Sequence, residues 1–406
     1  MSRKSWNIIT IFIFIIAFIF STWFVNRTLK DKDHCTKYKR FYKEESFDVL
    51  FFGSSRMLDD IQPMEIWEDY GITSYNMAMH SESLNVTYWQ MKNAFKYHVP
   101  KVAVIDVSLF HNTIIIDESS DEDKAYLHKS LDHMPLSGIK IDAIKALTDD
   151  YSHFDYYFPL EVYHNRWNEL QGKDFVIPKE EKMGSEVRLK YTDVEKDDKS
   201  DDGSGTDDIS DCYVDEIIEL CRENGVTPVF TVMPAAGVFT GMMLSIEDYC
   251  KRNDVAFYNI NVEEDVLNYH TDFADTSHLN TGGARKISGL MGEYLTQNFV
   301  FDEKNQENVA KWEAAEHEYI SDSKKNDILS LGDSSVPEFL QMFIAEDDYD
   351  FCVVVNDVNF LDNNPWQEFF GEIGTENFII DESLEMSEIR VYEKGFEEPF
   401  CIKPLW

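Results

Sequence analysis

Two short stretches of the chain carry side chains suited to acyl chemistry. The first is Phe52-Gly53-Ser54-Ser55-Arg56, where an apolar run ends in a glycine and two serines. A strand that runs into such a turn and then a helix presents a hydroxyl at a sharp corner. Backbone N–H groups at the helix start are then free to stabilise an oxyanion. The same residues also suit a plain turn or helix N-cap. The second stretch is Asp272-Phe273-Ala274-Asp275-Thr276-Ser277-His278-Leu279-Asn280, far downstream. The three-residue step from Asp275 to His278 is about one turn, so the carboxylate can accept from the imidazole Nδ1–H and leave Nε2 facing a nucleophile. Serine needs such a base, because its hydroxyl is a weak nucleophile unaided. Alone, D-x-x-H also serves as helix-capping chemistry.

The elements that must position these groups are legible as punctuation. Apolar, β-rich runs fall at DVLFFG (48–53), ITSYNMA (72–78), KVAVIDVSLF (101–110), VTPVFTVM (226–233) and VAFYNI (255–260). Helical patterns lie between and after them, at 85–98, 211–225 with Gly225 as C-cap, 245–253 and 281–299. Continuous apolar strands interleaved with helices predict an α/β fold, a doubly wound parallel five-stranded sheet covered on both faces. Such sheets place their sites in the crevice at the carboxyl ends of the strands. The α/β domain is expected over 47–300, with an aromatic cap insertion at 111–192 and an acidic loop at 193–211. A charged linker helix (301–327) and a small C-terminal β-rich or α/β domain (328–406) follow. The last histidine is His317, which argues against a general base in that last domain.

The serine turn and the D-x-x-H, in this order at opposite ends of one α/β unit, resemble the first and last sequence blocks of the SGNH (GDSL-like) hydrolase superfamily. The resemblance covers roughly 46–300 and implies Ser55 as nucleophile, His278 as base and Asp275 as its orienter. It implies no cofactor. Ser54 stands where the family has an acidic residue, as in a membrane-anchored branch that looks like the lipoteichoic acid D-alanylation protein and the alginate-type O-acetyltransferases. The second-block glycine is replaced within Tyr75-Asn76-Met77-Ala78-Met79-His80, where Ala78 can still offer a backbone N–H. The third-block G-x-N has no match in Ile105-Asp106-Val107-Ser108-Leu109, which leaves Ser55, Ala78, Asn76 and Asn85 as candidate oxyanion donors. One such donor is typically worth ~10²–10³ in rate. Gly332-Asp333-Ser334 is a literal match but a decoy, since no histidine follows it and no strand runs into it. Arg56 and, in the insertion, His164, Arg166 and Trp167 are candidate substrate contacts. His80 and His111 read as ordinary polar residues near strand ends.

Trp6 to Val25 is uncharged, and at ~1.5 Å per helical residue it spans the ~30 Å hydrocarbon core. Residues 1–26 are thus expected to form a tail and transmembrane anchor in the lipid bilayer, with Trp6 and Trp23 at the interfaces, followed by a basic stalk over 27–46. The poor cleavage site at Ser21-Thr22-Trp23-Phe24 disfavours a signal peptide. Basic residues after the span outnumber Arg3 and Lys4 before it, which by charge alone keeps the large domain inside. Long domains can cross regardless of that count, so it does not decide the topology; the resemblance to the anchored branch, where one N-terminal span holds an extracytoplasmic catalytic domain, implies an extracytoplasmic domain here.

Among 406 residues, 76 acidic side chains against 37 basic ones leave a net charge of −39, which repels nucleic-acid phosphates and excludes that partner. With 43% hydrophobic residues this is an acidic skin over a real core rather than disorder. Cysteines at 35, 212, 221, 250, 352 and 401 show neither a disulfide framework nor zinc spacing. Residues 193–211 fail as a calcium loop, because setting Gly203 at the sixth position puts Ile209 where a bidentate glutamate belongs. No metal site is expected.

The expected function is a membrane-anchored serine O-acyltransferase or esterase acting on hydroxyls of a cell-surface polysaccharide through an acyl-enzyme. Two alternatives stay open: a carbohydrate O-acetyl esterase using the same three residues, and an inactive glycan-binding or scaffold partner of a multispanning acyltransferase.

Overall fold

The computed structural model describes residues 3–30, 37–44, 46–108, 121–148, 154–175, 181–196, 212–237, 240–262, 266–362 and 365–405. His111 and most of the acidic loop, 197–211, lie outside the described residues. The chain divides into two compact units, 1–43 with 115–180, and 44–114 with 181–406.

The first unit is helical. Its α1 (Arg3–Leu29) is uncharged from Ser5 to Asn26, and the 25 residues Ser5–Leu29 are long and apolar enough to cross a membrane. The isolated helix end is tied down by Arg166, whose Nη1 donates to Leu29 O at 2.7 Å, satisfying a carbonyl that the helix itself leaves unpaired. Helices Asp121–Leu131 and Gly138–Leu147 supply the buried Leu127, Leu131, Ala143 and Ile144.

The second unit carries the sheet. Strands β1 (Val49–Phe52), β2 (Ser74–Asn76), β3 (Val102–Asp106), β4 (Thr227–Thr231) and β5 (Ala256–Tyr258) pair in the order β2-β1-β3-β4-β5, all parallel. This is the doubly wound arrangement expected from the sequence. Its topological switch lies between β1 and β3, so the crevice opens at the carboxyl end of β1. β1 and β3 are buried at every position, which explains why they read as continuous rather than alternating runs. Around the sheet lie α2 (Ser55–Asp60), α3 (Pro63–Tyr70), α4 (Leu84–Phe95), α5 (Cys212–Asn224), α6 (Thr240–Asn253) and, after a short hairpin, α7 (Thr281–Asn298). That hairpin consists of β6 (Phe273–Asp275) and β7 (His278–Leu279).

Beyond α7, α8 (Gln306–Glu318) runs through a π turn, Tyr319–Lys324, into a further helical stretch. The C-terminal part is a mixed four-stranded sheet, β8 (Tyr349–Val355), β9 (Phe378–Ile380), β10 (Glu388–Glu393) and β11 (Cys401–Pro404), ordered β11-β10-β8-β9. It joins the α/β part through a buried charge network. Lys324 Nζ contacts Glu65 at 2.9 Å and also Asp348, and Arg285 Nη2 lies 2.6 Å from Glu346. Burial pushes Glu65 up, but the charges of Lys324 and Arg285 outweigh it and hold its carboxyl below the ordinary range.

Candidate active site

At the end of β1 the backbone turns sharply. Gly53 has φ +147°, and a Cβ there would stand 2.7 Å from Asp106 Cβ and 3.3 Å from Met57 Cβ. Only glycine lets the chain leave the sheet this close to the end of β3. Ser54 is the N-cap residue of α2, and Ser55 opens the helix. The Ser55 N–H has no intramolecular acceptor among the described residues.

Ser55 Oγ lies 2.8 Å from His278 Nε2 although the two residues are 223 positions apart. On the other side of the ring, Nδ1 is 2.8 Å from Asp275 Oδ1 and 3.0 Å from Oδ2. A carboxylate only accepts, so Nδ1 carries the proton and Nε2 is left to accept from the Ser55 hydroxyl. The hydroxyl and the imidazole are half-buried, while the Asp275 side chain is 45% exposed. The three-residue step is not a helical turn. Asp275 and His278 are cross-strand partners in the hairpin, whose turn is fixed by Asp275 Oδ1 accepting the N–H groups of Ser277 (2.8 Å) and His278 (3.1 Å). Burial pushes the Asp275 pKa up, but the Ser277 N–H, the His278 contact and the Arg188 charge outweigh it and hold the carboxyl below its ordinary value.

The remaining sequence candidates divide. Asn76 is fully buried, and its Nδ2 donates to the carbonyls of Met57 (2.8 Å) and Ile61 (2.9 Å) at the C-terminal end of α2. Its Oδ1 accepts the Ala78 N–H at 3.1 Å. This corrects the expectation that either group faces an oxyanion, because both are held inside the fold. Asn85 Oδ1 accepts from Ser83 Oγ and from the Val86 N–H at the start of α4. Arg56 is half-buried and has no hydrogen bond or ion pair among the described residues. His164, Arg166 and Trp167 belong to the helical unit, where Arg166 also contacts Asp174 at 3.4 Å and Trp167 is exposed. The Gly332-Asp333-Ser334 decoy forms a turn, with the Ser334 N–H bonded to Leu331 O at 3.1 Å.

Several groups at the site carry no sequence signal. Asp106, at the end of β3, takes the N–H groups of Ser108 (3.0 Å) and Met233 (3.3 Å) and the hydroxyls of Ser108 (2.7 Å) and Ser54 (3.4 Å). Burial raises its pKa despite these bonds. Asp60 is fully buried, accepts the Leu279 N–H at 3.1 Å, and has a pKa pushed well above the ordinary value by burial and the neighbouring Asp59. Arg188 reaches both Asp59 and Asp275. His80 Nε2 contacts Glu186 at 3.0 Å. No group of three or more metal-ligating side chains occurs among the described residues.

No protein-family model and no curated protein matches the chain. Among solved structures, it is similar to a protein described as lipolytic and of the G-D-S-L family from Desulfitobacterium hafniense, at 10% identity and a TM-score of 0.32, covering 62% of this chain and 99% of that one. It is also similar to a GDSL-like lipase from Bacteroides thetaiotaomicron, at 12% identity and a TM-score of 0.31, covering 63% and 90%. An acylhydrolase from Bacteroides fragilis aligns at 11% identity and a TM-score of 0.32, covering 66% and 98%.

Proposed function

We propose that the protein is a membrane-anchored serine esterase or O-acyltransferase of the SGNH type that works through an acyl-enzyme on Ser55. The carrying observation is the Ser55 Oγ–His278 Nε2 contact of 2.8 Å with Asp275 behind the ring. In this reading His278 takes the hydroxyl proton as Ser55 attacks an ester carbonyl. The tetrahedral oxyanion is met by the free Ser55 N–H, and His278 returns the proton to the leaving alcohol. A second alcohol or water, deprotonated by the same imidazole, then releases the acyl group. Arg56, half-buried and next in sequence to the nucleophile, is the candidate substrate contact.

The acceptor is taken to be a hydroxyl of a cell-surface polysaccharide, reached from an extracytoplasmic domain anchored by α1. Support for the anchor is the apolar 25-residue span, and support for the acceptor is the resemblance of the serine block to the anchored acyltransferase branch. The test is to mix the full-length protein in detergent with an activated acetyl ester and an unacetylated surface glycan, then follow both by mass. The reading expects a transient acetyl adduct on Ser55, absent in Ser55→Ala, and acetyl groups appearing on glycan. Loss of acetyl groups from a pre-acetylated glycan assigns the hydrolytic form. No adduct on a folded protein overturns the proposal.

A further inference from the structure

The segment 181–196 is extended and crosses the site like a strap. Its backbone is fastened to both halves of the catalytic array. Met183 O accepts the Asn76 N–H (2.9 Å), and the Glu186 N–H donates to Leu58 O in the nucleophile's helix (3.1 Å). Arg188 O accepts the Thr281 N–H at the start of α7 (3.1 Å), and the Thr192 N–H donates to Phe273 O in the histidine hairpin (2.9 Å). The strap lies so close to β2 that a Cβ on Gly184 would fall 2.2 Å from Asn76 O, and Gly184 has φ +85°. Between these anchors Arg188 is fixed at its main chain, and its guanidinium forks. Nε donates to Asp59 Oδ2 at 2.5 Å, and Nη1 donates to Asp275 Oδ2 at 3.5 Å.

We propose that Arg188 is a positioning residue of the Ser55–His278–Asp275 array, clasping the Asp275 carboxylate to the nucleophile's own helix through Asp59. This rests on the acyl-enzyme reading above. The reason a clasp is needed is visible in the geometry. Asp275 sits on a hairpin whose strands are three and two residues long, and its side chain is 45% exposed, so little packing holds it. Ser55 sits on a different element, α2. Asp59 is at the far end of that helix, 1% exposed, and presents a fixed carboxylate. One planar guanidinium bonded to both carboxylates ties the two elements together, a geometry that an ammonium cannot reproduce. Misplacement of a catalytic group by ~1 Å costs on the order of 10²-fold in rate. The charged groups around Asp275 and His278 are Arg188, Asp59 and Asp60, with the His80–Glu186 pair beside Asp59.

The test uses the full-length protein in detergent and measures the rate of fluorophosphonate labelling at Ser55 against pH, for wild type, Arg188→Gln and Arg188→Lys, with thermal unfolding of each. Arg188→Gln is expected to slow labelling by about ten-fold or more. It should also move the acid limb of the profile upward, since the Asp275 carboxyl, whose pKa the Arg188 charge helps to hold down, loses that cation. Arg188→Lys is expected to keep the limb in place and recover only part of the rate. If Arg188→Gln is folded yet labels within about three-fold of wild type, or slows with an unmoved limb, the clasp is wrong. Should Arg188→Gln fail to fold, Arg188→Lys decides: a full wild-type rate overturns the proposal, and a reduced rate with an unmoved limb upholds it. Wild type that does not label at all refutes the acyl-enzyme reading itself, a separate outcome.

Discussion

Replacing Gly53 by alanine tests the corner on which the nucleophile is presented. Two costs add. A residue with a side chain at φ +147° is held in a sparsely populated conformation, on the order of 1–3 kcal/mol. The new methyl also falls 2.7 Å from Asp106 Cβ in a fully buried site, where overpacking costs about 1–3 kcal/mol. The sum is ~2–6 kcal/mol, and the means of relief is to push the Ser54–Ser55 turn away from β3, which lengthens the Ser55–His278 contact. Urea unfolding followed by tryptophan fluorescence, run beside the fluorophosphonate labelling rate, reads both effects. Gly289→Ala is the control: it lies inside α7 with open space around the new methyl, and is expected to gain about 0.5–1 kcal/mol. A Gly53→Ala protein that unfolds within about 0.5 kcal/mol of wild type and labels at the wild-type rate refutes the reasoning about this turn.

Further outcomes follow from the same geometry. Lys324→Met leaves Asp348 buried without its Lys324 cation and Glu65 with Arg285 alone, and is expected to cost about 3–5 kcal/mol in chemical unfolding; a loss under about 1 kcal/mol contradicts the network's role. Asp60, with its folded-state pKa raised, stabilises the protein fully only below the ordinary carboxylate value of about 3.9, and that contribution is lost as pH rises through the folded-state value. Wild type should therefore lose stability relative to Asp60→Asn as pH rises from about 4 toward neutrality, and a difference that does not vary with pH counts against it. Removing residues 1–29 should release the protein from carbonate-washed membranes while the full chain stays bound; equal release of both speaks against α1 as an anchor.

The central sheet was legible because its strands obey a simple rule: buried on both faces, β1 and β3 are unbroken apolar runs, and each ends at a glycine or polar turn. The site was legible only in its types. A step of three between Asp275 and His278 fits a helical turn and a tight hairpin equally well, and what selects the hairpin is Asp275 folding back onto the Ser277 and His278 N–H groups. Ala78 and Asn76 were misjudged because the need of a six-residue helix for partners at its end is a tertiary matter, and Asn76 meets it. Arg188 left no trace in the sequence, since Asp59 and Asp275 lie 129 and 87 residues away along the chain. The last strand, β11, is short and ends at Pro404, so neither periodicity nor composition marks it.

The most direct measurement is active-site labelling of the intact protein with a fluorophosphonate, with the modified peptide sequenced by mass spectrometry. A single adduct on Ser55, abolished in His278→Ala and slowed by orders of magnitude in Asp275→Asn, is the result predicted by the 2.8 Å Ser55–His278 contact. A folded wild-type protein that stays unmodified, or one modified at another serine such as Ser334 with Ser55 untouched, contradicts it.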